Sequence, residues 1–193
     1  MQTINPRRYR ISKTIQAAAI ELAMRDGLSN VTTESIARHA GISTRTFFNY
    51  YPYKEAALMG PGLAYPADAA AEFVAGAGPL MDDVQHLIRA HLRRFLDERT
   101  MLGNLLKLSE TDPKLSALMN SGTIALRTQM RNLLALRLPG QPAPVIEILA
   151  AAIVAATTDA TRSWTRGETN DFIAEAEANL AMILPAAELL ARD

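Results

Sequence analysis

At 193 residues, with 49% apolar residues and equal numbers of basic and acidic side chains, the chain is long enough for one large or two small domains and reads as a soluble, globular protein. The absence of cysteine excludes disulfides and thiolate metal sites. The zero net charge hides an asymmetry, because residues 1–58 carry eight basic against four acidic side chains, net +4, and the remainder is net −4; a basic end on an acidic body points to a polyanion-binding module.

No apolar signal core precedes Ser12, and the most apolar run, 148–156, is too short to span a bilayer. A cytoplasmic protein is expected. The segments between Gly and Pro breaks show helical rather than alternating periodicity, which predicts an all-α fold of about nine helices. Ile11, Ile15, Ala18, Ala19 and Leu22 form the stripe of a first helix ending at Gly27. Arg7, Arg8 and Arg10 lie before that stripe and read either as an arm reaching phosphates or as a solvated tail.

Short helices are predicted over 33–39 and 44–51, the latter stopped by Pro52. A fourth begins at Tyr53 or Lys54 and is broken or kinked by the Gly/Pro-rich stretch from Gly60. Further helices are expected over 80–98, 100–110, from the Asp112-Pro113 cap to Pro139, over 145–164, and from Asn170 with an interruption at Pro185. The junction near residues 59–66 divides the chain into an N-terminal domain, 1–58, and a C-terminal helical domain, 59–193.

Residues 31–58 contain the parts of a helix-turn-helix: Thr32 as a cap, Ile36, Ala37 and Ala40 as an inner face, Gly41 in the turn, Ile42 as a buried link and Ser43 as the second cap. At about 100° per residue, Phe47 and Tyr51 fall on one side of the second helix and Arg45 and Asn49 on the other. Arg pairs bidentately with guanine and Asn with adenine. Thr33, Thr44, Thr46 and Tyr50 offer hydroxyls to phosphates, and a phosphate contact would explain Lys54 at a helix start, where its charge opposes the macrodipole.

The run TTESIARHAGISTRTFFNYYPYKEAAL closely resembles the signature of the TetR family of bacterial transcription regulators, with detail covering about 11–58. The resemblance implies a homodimer that places two recognition helices in successive major grooves of a palindromic operator. It also implies a divergent C-terminal bundle that dimerises and binds a small-molecule effector, whose binding releases the DNA. The function implied is a transcription regulator, in most such families a repressor. Carried over by position, the DNA contacts are Thr33, Thr44, Arg45, Thr46, Phe48, Asn49, Tyr50 and Lys54. Two positions depart from the family: Phe48 lacks the hydroxyl of the usual Tyr, and Tyr53 replaces a small capping residue.

In the body, His91 shares the stripe of Val84, Leu87, Leu92 and Phe95 and reads first as a hydrogen-bonded core histidine and second as an effector contact. Met101, Leu105, Met119, Met130 and Asp159 complete the candidate effector set, each with a plain core or surface alternative. Asp159 and Arg162 could equally form a salt bridge or a dimer rim. His86 and His91 point in different directions, and the pair Asp82 and His86 lacks a third ligand, so no metal or other cofactor is expected. The Ala-rich helices over 145–164 and 170–191 read as the dimer interface, with Trp164 closing that interface or a pocket. No phosphate-binding glycine loop or nucleophile with a placed base supports an enzyme. The competing reading is a helical protein-interaction module with secondary, sequence-indifferent DNA binding.

Overall fold

The helical periodicity is realised throughout. The computed structural model describes residues 6–62 and 64–191, and the described residues form α-helices and short 3-10 segments with no strand. The order is α1 (Pro6–Asp26), α2 (Thr33–His39), α3 (Thr44–Phe48), α4 (Lys54–Met59), α5 (Ala67–Ala75), α6 (Leu80–Leu92), α7 (Arg99–Thr111), α8 (Pro113–Arg137), α9 (Ala143–Arg166), α10 (Phe172–Ala181) and α11 (Ile183–Glu188).

The nine expected helices are all present, with two of them divided. The expected fourth helix stops at Met59, because Gly60 turns to φ 70°, and resumes as α5. Any side chain at position 60 would also meet Gln16, 2.3 Å from a built Cβ. The last helix breaks at Met182, one turn ahead of Pro185, since a proline ring clashes with the carbonyl four residues earlier. The helix expected over 80–98 changes to 3-10 geometry at Arg93–Glu98. At the N-terminus the first helix begins earlier than its stripe suggests, with Pro6 at the first helical position, where its missing N–H has no cost. Arg7, Arg8 and Arg10 are therefore helical.

The chain forms two compact units. The first joins Met1–Leu63 to Thr100–Gly122, and its core is built around Ile15, Ile36, Phe47, Leu58, Leu105 and Leu115. Each such side chain contributes roughly 1.5–3 kcal/mol by leaving water. The second unit, Ala64–Arg99 with Thr123–Asp193, buries Leu87, Ile88, Met130, Leu134, Ile153 and Leu180.

Within the second unit α9 packs on α10, the small residues Ala150 and Ala160 lying at full burial. Trp164 stacks on Phe172 at 4.1 Å, and Arg99 donates to the Trp164 carbonyl at 2.7 Å. Trp164 is therefore core in the single chain. Although the apolar run 148–156 is short, α9 as a whole is long and apolar enough to cross a bilayer. Its buried side is instead taken up within the bundle, and it carries Glu147, Asp159, Arg162 and Arg166.

Candidate nucleic-acid interface

Helices of seven and five residues cannot persist alone in water, so α2 and α3 depend on caps and on the core. Thr32 accepts from the Ser35 amide while Ser35 Oγ accepts from the Thr32 amide, a reciprocal capping box. Gly41 turns the chain at φ 69°, a conformation that favours glycine. Ser43 then caps α3 by accepting from the Thr46 amide at 3.1 Å.

The helix expected over 44–51 is regular only through Phe48. Residues that precede proline avoid the α region, so ahead of Pro52 the last turn tightens, and the Tyr50 and Tyr51 amides both donate to the Phe47 carbonyl. Phe47 is wholly buried and Tyr51 nearly so. Burial pushes the Tyr51 phenol up to about 12, which keeps it protonated as a donor to the Ser12 carbonyl at 3.2 Å.

The opposite side of α3 is open. Arg45, Phe48 and Asn49 are exposed, flanked by half-buried Thr44, Thr46 and Tyr50. Thr33 is half-buried in the first turn of α2. The Thr46 hydroxyl lies 2.9 Å from Ser43 Oγ, so it shares in the cap. Helical phase thus divides the four aromatics between frame and surface, with Phe48 52% exposed and edge-on to Phe47 at 5.5 Å.

Lys54 is placed differently from its expected neighbours. Its ammonium donates to the carbonyls of Leu28 at 2.7 Å and Val31 at 2.9 Å, tying the start of α4 to the connection between α1 and α2. Those carbonyls account for a cation at a helix start. Lys54→Met is expected to cost about 1.5–3 kcal/mol, the scale of hydrogen bonds to a charged group, and urea unfolding checks it. Unchanged stability would leave Lys54 as a DNA contact alone.

Matching the described residues to known families agrees with this geometry. Residues 15–58 match the family model for bacterial regulatory proteins, tetR family. The N-terminal domain is that of the TetR family. No curated protein matches the chain. Among solved structures, FadR of Thermus thermophilus, a TetR-family repressor in complex with lauroyl-CoA, is 24% identical, with 90% of this chain and 93% of that one covered at a TM-score of 0.55. NalD of Pseudomonas aeruginosa, the secondary repressor of the MexAB-OprM efflux pump, is 19% identical over 92% and 96% of the chains at 0.60. A putative TetR-family regulator from Syntrophomonas wolfei is 15% identical over 90% and 92% at 0.61. At these identities the likeness is one of fold.

The candidate effector residues do not form one cluster. Met101, Leu105 and Met119 pack on the core of the first unit. His91 and Met130 are buried in the second unit, and Asp159, like Arg162, is exposed. His91 is in the core but lacks the hydrogen bond expected of a core histidine. Its Nδ1 has no partner, and its ring sits between Tyr65 at 4.9 Å and Phe95 at 5.4 Å. Burial, aided by the Arg94 charge, pulls its pKa down to about 4. A separate cleft of about 420 Å³ is lined by Arg89, Arg93, Leu96, Asp171, Ile173 and Glu177, and none of the six candidates faces it.

A contribution that the sequence pattern does not reveal is a polar ridge on α1. Arg8, Ser12 and Gln16 lie four residues apart on one helix face. Arg8 Nη2 donates to the Asn49 carbonyl at 3.1 Å, the Ser12 carbonyl accepts from Tyr51, and Gln16 Nε2 donates to the Leu58 carbonyl at 3.0 Å. The signal available in the sequence was Pro6, which starts the helix early enough to include Arg8.

Proposed function

We propose that the protein is a cytoplasmic, one-component transcription regulator that binds a palindromic operator as a homodimer and, as a repressor, leaves it when a small molecule binds the C-terminal domain. The observation that carries this reading is the exposed side of α3, where Arg45, Phe48 and Asn49 project from a helix anchored by fully buried Phe47. Arg45 and Asn49 would read base edges, while Thr33, Thr44, Thr46, Tyr50 and the remaining donor of Lys54 would meet phosphates. Phe48 would give apolar contact only, having no hydroxyl.

Dimerisation is supported by apolar side chains left open on the single chain, among them Ile148, 70% exposed, on α9 and Leu184, 65% exposed, on α11. A second copy would cover them across a two-fold axis. Residues 59–193 would carry the effector site, and of the candidates His91 is the best supported, since its buried Nδ1 lacks a partner.

The test is selection of duplex fragments by the purified protein, followed by binding measurements across salt concentrations. Parent protein is expected to bind selected palindromes as a dimer, with affinity falling as salt rises. Arg45→Ala with Asn49→Ala is expected to weaken specific binding by about 30-fold or more, from roughly 1 kcal/mol or more per base contact. Equal binding by the double variant would reject this reading face. Weak, sequence-indifferent binding by the parent would favour the protein-interaction module.

A further inference from the structure

We infer that Arg8 is a positioning residue that sets the end of the recognition helix, and not a phosphate contact. The inference rests on the reading of α3 as the recognition helix. As a five-residue helix, α3 offers carbonyls at its C-terminal end that have no helical partner, and Pro52 beyond it can donate nothing. Arg8 meets this end twice. Its guanidinium donates to the Asn49 carbonyl at 3.1 Å, and its Cζ lies 4.8 Å from the centre of the Tyr50 ring.

One turn along the same face of α1, the Ser12 carbonyl receives the Tyr51 hydroxyl. Consecutive residues 49, 50 and 51 are thereby held from a single ridge. Asn49 is also the residue whose side chain is proposed to read a base, so Arg8 grips the backbone of a specificity position. A planar guanidinium can donate and stack at once, whereas an ammonium is a compact charge that lacks the flat face. The geometry therefore depends on arginine and not merely on positive charge.

Arg8→Lys and Arg8→Ala separate the two roles. Each variant would be measured on a duplex selected by the parent and on a mixed-sequence duplex, at several salt concentrations. A positioning role predicts that both variants lower the ratio of specific to mixed-sequence affinity by about tenfold, the scale of one charge-assisted hydrogen bond, with the salt slope unchanged. A phosphate contact predicts uniform weakening, a slope reduced by about one in Arg8→Ala, and near-parent behaviour in Arg8→Lys. That pattern, or no change in either variant, overturns the inference.

A DNA-free arm keeps it separate from the functional reading. Amide hydrogen exchange at Tyr50 and Tyr51 is expected to quicken in both variants while the amides of α2 keep the parent rate. If the parent bound no duplex the DNA reading would fail, and the exchange rates would still decide whether Arg8 holds this helix end. Unchanged exchange would overturn it.

Discussion

Phe47→Ala is expected to remove about 3–5 kcal/mol of stability, the usual range for truncating a buried phenylalanine, and with it DNA binding. The ring has no exposed surface and meets the rings of Phe48 and Tyr51. It is also the only fully buried side chain in α3, so its truncation removes the core contact made from within that helix. Urea unfolding of the parent and the variant measures the loss. Phe48→Ala provides the internal comparison, because that ring is half out of the protein and its removal is expected to change stability by about 0.5 kcal/mol or less. A large loss from Phe48→Ala, or a small one from Phe47→Ala, would reverse the assignment of the two aromatics to surface and frame.

Acidification is expected to destabilise the protein through His91. In the folded chain its pKa is near 4, because burial penalises the charged ring and Arg94 repels it. Exposed in the unfolded chain, the same group titrates near 6.5. Below that value the unfolded state takes up a proton that the folded state refuses, so stability is complete above pH 6.5 and falls as pH drops towards 4. The whole step is about 3 kcal/mol, with about 2 kcal/mol lost by pH 5. His91→Leu isolates the effect, since subtracting its pH profile from that of the parent cancels the carboxylates. At pH 7.5 the same substitution is expected to be neutral or stabilising, because an apolar side chain leaves no partnerless Nδ1. Parallel profiles between pH 4 and 6.5 would show that His91 is solvated or bonded.

The helix-turn-helix was legible because its determinants lie close together in the chain. Thr32 caps α2 from within three residues, Ser43 does the same for α3, and the phase of Phe47 against Arg45 and Asn49 follows from helical geometry alone. The breaks at Gly60 and ahead of Pro185 follow equally from local backbone rules, although proline acts one turn before its own position. The effector candidates were not legible in the same way. Methionine and leucine in a helical stripe signal burial, and burial in either compact unit produces the same stripe.

What the sequence by itself determined is therefore the class of fold, the position of the helices and the face of α3 that is exposed, since each depends on contacts within about one helical turn. The tertiary structure alone decided which cations are tied to distant backbone carbonyls. Arg45 and Arg8 are both exposed, but Arg8 donates to a carbonyl 41 residues away, and half-buried Lys54 donates to carbonyls 26 and 23 residues away. Arg8 and Arg45 carry the same charge and the same side chain. The difference lies in which backbone oxygens the packing of α1 and α4 brings within reach, and that is a property of the assembled chain.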